Sequence, residues 1–434
     1  MTAPSAQHEL SGRAYLRLVL LGAAIGIPAA LVAAGFLALV HELEDLLWHD
    51  LPDQLGHSSP PWYLVMGLPA VGAVLVVVAR SLLPGDGGHP PLAGISMAPT
   101  PLAYGPGVAL AALSTLAFGS VLGPEAPLIA LGSVVGVAVT PLLKLGEREN
   151  TVLATAGSFS AISALFGGPL VAGMLLVEAG VGMGAALIPA LLPGLVAAAC
   201  GYVIFVGLGD WGGLDAAALK VPGLPAYDGT SIPDLFVGLV VGVLAAVLIV
   251  GVRHIGAGID ALRGRRLGMP ALLIAGGLAV GVLAELADVL GADSQDVLFS
   301  GQASVPGLVA EDSTKIVLVL LVAKAIGYAV SLGSGFRGGP VFPAIFVGVA
   351  LATVAVNLFD VSPTLAVAVG AAAGMAAMTK LLFASLLLAA LLVGIPGLDA
   401  TPAAVLAAAA AWLTRTAMDR RLGDPTAKPA AAPR

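Results

Sequence analysis

One carboxylate stands between two prolines in apolar sequence: Glu125, in Gly123-Pro124-Glu125-Ala126-Pro127. Glycines and prolines just ahead of an apolar run leave the first N–H groups of a helix unpaired. Their partial positive charge can hold an anion without a fixed cation. Two other stretches share this character, Asp86-Gly87-Gly88-His89-Pro90 and Gly339-Pro340-Val341-Phe342-Pro343. Helix starts near Pro90, Pro127 and Pro343 are therefore expected to converge on one site. There Gly87, Gly88, His89, Pro90, Gly123, Pro124, Ala126, Pro127, Gly339, Pro340, Val341 and Phe342 would present backbone to a small anion. A carboxylate at such a site is a tethered anion: ionised it fills the site, and protonated or displaced it swings away. Glu125 is expected to gate the site in response to protons and anions. The plainer alternatives are a helix-terminal charge or a pair with Arg or Lys for Glu125, and close helix packing for the glycines.

The elements that position these residues must lie in a membrane. The chain has 434 residues, 58% hydrophobic and 10% charged, against roughly 25% charged in an average soluble protein. A net charge of -7 without a basic tract argues against a nucleic-acid partner. A single cysteine, Cys200, and six scattered histidines offer neither a disulfide framework nor metal-ligand spacing, so no cofactor or metal is expected. The first apolar run, 15–40, is too long for a signal-peptide core and reads as a retained spanning helix. Several later runs are shorter than the roughly 20 residues needed to cross. Short helices broken by Gly and Pro are expected, and such breaks are tolerated at membrane depth only where protein or a cavity surrounds them. Their paired occurrence in two halves points to a transport site.

The division expected is a cytoplasmic segment 1–14, a first membrane repeat 15–206, an extramembrane linker 207–232, a second repeat 233–414 and a disordered cytoplasmic tail 415–434 with no regulatory domain after it. Basic residues at Arg13, Arg17, Arg80, 253–266 and 415–434, and their absence from 49–61, place both termini in the cytoplasm of a multi-pass cell-membrane protein.

These motifs resemble those of the CLC family of chloride channels and proton-coupled anion exchangers. Gly123–Pro127 is similar to the family's G-[K/R]-E-G-P motif, with Glu125 in the place of the gating glutamate. Residues 153–178 resemble the helix pair that follows, and 324–348 the lysine-containing helix and G-x-F-x-P loop of the second half. The resemblance runs over roughly 15–415. It implies an all-α polytopic fold, an inverted-topology repeat of broken and tilted helices, forming a homodimer in the bilayer with one pore per subunit. Chloride is the default anion.

The chain departs from that pattern in several places. Gly87 stands where the first loop usually carries a serine donor, followed by His89, a loop residue in water or a pH-sensitive residue at the pore mouth. Phe342 is shifted by one position. Arg337 is either a vestibule charge or paired elsewhere, and Lys380 is either paired, snorkelling or at the pore. No tyrosine follows Tyr328 to supply the family's pore tyrosine. Glu178 resembles a structural acid, and Ala179 occupies the usual proton-relay position. Channel and proton-coupled exchanger both stay open, with a fluoride-type antiporter as the alternative. An intramembrane enzyme using Glu125 and His89 as acid and base is the remote rival; no nucleophile or metal cluster accompanies them.

Overall fold

The computed structural model describes residues 12–180, 187–208, 212–214, 219–264 and 266–426. Most of the N-terminal segment, part of the linker and the tail beyond Thr426 lie outside them. In chain order the α-helices are α1 Gly12–Asp45, α2 Leu51–Gln54, α3 Trp62–Leu82, α4 Gly105–Leu116, α5 Glu125–Leu142, α6 Glu147–Leu165, α7 Pro169–Ala179, α8 Leu187–Val206 and α9 Ile232–Asp260. They continue as α10 Met269–Val289, α11 Ser294–Val297, α12 Val305–Val309, α13 Thr314–Ser334, α14 Val341–Phe359, α15 Pro363–Thr379, α16 Leu382–Val393 and α17 Thr401–Leu422.

The protein is a multi-pass membrane protein. Among the described residues, nine helical stretches are long and apolar enough to cross a bilayer. α9 shows why: one face buries Gly238, Val241, Gly242, Ala245 and Ala246, while Phe236, Leu239, Val240, Val243 and Leu244 on the other are exposed. Apolar side chains on that scale are stable against lipid and would be an aggregation surface in water. The broken elements are α4, α7, α15 and α16, of 12, 11, 17 and 12 residues. At about 1.5 Å per residue none of them spans the hydrocarbon core of about 30 Å.

Contacts group the chain into two units. One holds α1 as far as Ala34, residues Met97–Leu102, and the chain from Ile129 through α8; the other holds Gly35–Ser96, Ala103–Leu128 and α9 to α17. Small residues bring helices close in each. In the first, a Cβ on Gly132 or Gly136 of α5 would strike the backbone of Gly157 or Leu153 on α6. In the second, Gly348 of α14 is packed in the same way on Gly370 of α15, and Gly374 on Ala344. This is the small-residue packing of membrane helices, driven by close backbone approach rather than by water.

Two expectations need correction. No helix of useful length starts near Pro90: a single three-residue turn, Pro91–Ala93, is followed by irregular chain. Gly94, with φ +84°, and then Pro99 and Pro101 interrupt helix formation there. The segment after 415 is not a disordered tail as far as it is described, because α17 runs on to Leu422. Arg415 is buried and donates to the Ala377 and Met378 carbonyls at the end of α15. Asp419 pairs with Lys380 at 2.8 Å and with Arg253 at 3.3 Å, and Arg253 reaches on to Asp424 at 2.8 Å. The linker from Leu219 on is likewise packed: Val221 donates to the Leu392 carbonyl and Thr364 to that of Pro225.

Candidate anion site

Two loops build the site, and they are copies of each other. α4 is followed by Gly119, Val121 and Gly123-Pro124-Glu125-Ala126-Pro127; α13 is followed, at the same offsets, by Gly335, Arg337 and Gly339-Pro340-Val341-Phe342-Pro343. Gly119 and Gly335 have φ of +87° and +105°, a left-handed conformation glycine adopts without steric cost, and each turns the chain out of its helix. Four residues before each glycine is a buried hydroxyl, Thr115 or Ser331. Each hydroxyl holds the opposite loop: Val121 N–H donates to Ser331 Oγ at 3.0 Å, and Arg337 N–H to Thr115 Oγ1 at 3.1 Å. Gly123 and Gly339 then pair as an antiparallel bridge, exchanging N–H···O bonds of 2.8 and 2.5 Å. After each bridge comes a helix start, α5 at Glu125 and α14 at Val341, with proline third in both.

Glu125 sits where these helix starts face each other. Its side chain is wholly buried, and Oε1 accepts the Phe342 N–H at 2.8 Å. The backbone N–H groups of Val341 and of Glu125 itself also face the carboxylate. No basic side chain among the described residues pairs with it, and Oε2 has no hydrogen-bond partner among them. The wholly buried Ser120 hydroxyl, in the loop before Gly123, is unpartnered in the same sense. Space for the carboxylate depends on the glycines, since a Cβ on either Gly123 or Gly339 would overlap it. Backbone N–H dipoles thus surround the Glu125 carboxyl group with no fixed counter-charge among the described residues.

Gly123, Gly339, Val341, Phe342 and Glu125 come together as the spacing suggested. Gly87, Gly88, His89 and Pro90 do not join them in any described contact. Gly87 packs on Ala111, Arg80 and Arg337, and Gly88 on Val108. His89 is exposed; partial desolvation, with the Arg337 charge adding to it, holds its imidazole below the usual histidine range despite a hydrogen bond to the Ala93 backbone. Arg337 is buried and bonded to Asp86, and Lys380 is paired with Asp419, so both charges have partners. One contributor is not among the residues expected from sequence. Tyr328 is fully buried and donates to the Pro340 carbonyl at 2.6 Å, fixing the second loop one residue before the amides that face Glu125.

The model of the voltage-gated chloride channel family matches residues 89–415. The chain belongs to that family. Relatives of this family member include putative ion-transport proteins YfeO. That of Escherichia fergusonii is 31% identical over 355 residues, 78% of this chain and 79% of the relative. That of Escherichia coli O1:K1 is 32% identical over 347 residues, with the same coverage. Among solved structures, a slow cyanobacterial Cl-/H+ antiporter matches with a TM-score of 0.72 at 15% identity, over 94% of this chain and 98% of that one. A CLC-type fluoride/proton antiporter matches with a TM-score of 0.72 at 20% identity and the same coverage. These likenesses establish the fold, including its inverted repeat of broken helices.

Proposed function

We propose that this protein exchanges a small inorganic anion for protons across a cell membrane, through a pore in which Glu125 and the anion take turns at one position. The observation that carries this reading is the Glu125 carboxylate itself, fully buried and held by the Phe342 amide with no cation beside it among the described residues. A group held in this way is bound as a mobile anion would be. Because the carboxylate fills the space between Gly123 and Gly339, an anion enters only when Glu125 leaves. Protonation removes the charge that helix N-termini favour and releases the side chain. Anion and proton therefore alternate at one place, which is the requirement for coupling.

Anion transport follows from family membership; the coupling and the role of Glu125 are our reading. Family membership also supports a homodimer in the lipid bilayer, with two sequence repeats, 15–206 and 233–414, and both termini in the cytoplasm. Chloride is the default substrate and fluoride the alternative.

The test is efflux from liposomes loaded with chloride or fluoride, with proton movement recorded in parallel. Uphill proton movement driven by an anion gradient is expected. Anion efflux with no proton movement would reassign the protein as a channel, and efflux of fluoride alone would reassign the substrate.

A further inference from the structure

A second carboxylate is held in this protein by quite different means. Arg80, in the last turn of α3, and Arg337, in the second loop, have side chains 3% and 2% exposed, yet they share one acid, Asp86, whose side chain is 59% exposed. Arg80 Nε donates to Asp86 Oδ1 at 2.8 Å and Arg80 Nη2 to Oδ2 at 3.0 Å. Arg337 Nη2 donates to the same Oδ2 at 2.5 Å, and its Nε to the Asp86 carbonyl at 2.9 Å. Arg80 Nη1 is spent on the Gly335 carbonyl at 2.8 Å.

The two guanidinium groups exceed their shared acid by one charge, the Arg263 charge beside them being paired with Asp260, and both lie inside the protein while the acid opens to water. Asp86 reaches them from a left-handed backbone position, φ +50°, followed by two left-handed glycines, Gly87 and Gly88. Aspartate is among the few non-glycine residues that take this conformation readily, so the turn presents its side chain to the two arginines without a large backbone cost. The side-on fork of Arg80 takes two oxygens in one plane, which is how a guanidinium recognises a carboxylate and is not satisfied by a spherical ion.

The geometry points to Arg80 and Arg337 as a second anion-binding site, selective for planar carboxylate-shaped oxyanions, in which Asp86 is the tethered occupant. A free oxyanion takes the two oxygen positions and the Gly87-Gly88 turn lets Asp86 retire to water. Occupancy bears on the second loop, because Arg337 lies two residues before Gly339. The site does not depend on which ion passes Glu125, so its failure and that of the transport reading are separable.

Binding of formate, with chloride as the spherical control, is measured by calorimetry on the purified full chain and on Asp86→Ala. Vacating the fork is expected to tighten formate binding about tenfold, and chloride by less than about threefold. Asp86→Asn keeps the shape of the side chain without its charge and serves if the Ala variant does not fold; it too gains formate affinity. Adding Arg337→Leu to Asp86→Asn abolishes the gain. Formate affinity unchanged in both single variants, or a chloride gain equal to that for formate, overturns the proposal.

Discussion

The two loops share a scaffold and differ in chemistry. Thr115 and Ser331, Gly119 and Gly335, Gly123 and Gly339, Pro127 and Pro343 occupy matching places, and the hydroxyl pair and the Gly123–Gly339 pair make matching contacts. Where the first loop has Glu125 the second has Val341, and where the second has Arg337 the first has Val121. Duplicated backbone supplies the converging helix ends; single substitutions on that backbone supply a charge to one side only. The means of holding a carboxylate differ too. On the proposed function, Glu125 leaves behind only backbone dipoles, which water or an anion can satisfy, and so is free to move. Asp86 would leave two buried cations, so it stays unless another anion replaces it.

The largest effect should come from removing the room that Glu125 occupies. Gly339→Ala and Gly123→Ala each place a Cβ on the carboxylate. Both should displace the gate and give anion efflux that no longer varies with pH, measured in liposomes, at about 1–3 kcal/mol of strain. Efflux retaining its pH dependence in both would break the comparison.

Next is Asp86→Asn. Breaking a fully buried pair costs about 3–5 kcal/mol, but Asp86 is half exposed and the loss should be about 1–3 kcal/mol in chemical unfolding at neutral pH. Partial burial pushes the Asp86 carboxyl up, but the Arg80 hydrogen bond and the Arg337 and Arg80 charges outweigh it and hold it below the usual range. With the folded value below the unfolded one, its stabilisation is fully present above about pH 4 and is lost as pH falls through the folded value. The difference between wild type and variant should therefore shrink in acid; a constant difference would contradict the charge assignment.

Scaffold symmetry is sharpened by Thr115→Val and Ser331→Ala. Each removes the acceptor for one buried loop N–H and should cost about 1–3 kcal/mol. Equal losses, within about 0.5 kcal/mol, are expected from thermal unfolding. The smallest effect belongs to His89→Gln: an exposed residue off the site should change stability by less than about 0.5 kcal/mol and leave the pH profile of efflux unmoved.

Much of this was legible in sequence. Apolar runs too short to cross gave the broken helices, and Gly-Pro punctuation around Glu125 marked the facing helix starts of the candidate site, because both are local consequences of backbone chemistry. The helix expected at Pro90 failed through local signals that were also present, Gly94, Pro99 and Pro101. The partner of Arg337 was not legible. Asp86 lies far away in sequence, and a charge pair is decided by tertiary placement. The hydroxyl cross-links from Thr115 and Ser331 were hidden for a different reason, since each serine or threonine is unremarkable until the two loops are laid over one another. Tyr328 was noted only as the last tyrosine, although its hydroxyl fixes the Pro340 carbonyl.

The central claim is that the Glu125 carboxylate stands in for the transported anion and yields to a proton. It is tested most directly by recording anion efflux and proton movement in the same vesicles, across pH, for wild type and Glu125→Gln. The account predicts coupled, pH-dependent movement in the wild type and, in the variant, anion movement without pH dependence and without any proton flux. Proton coupling that survives in Glu125→Gln would contradict it.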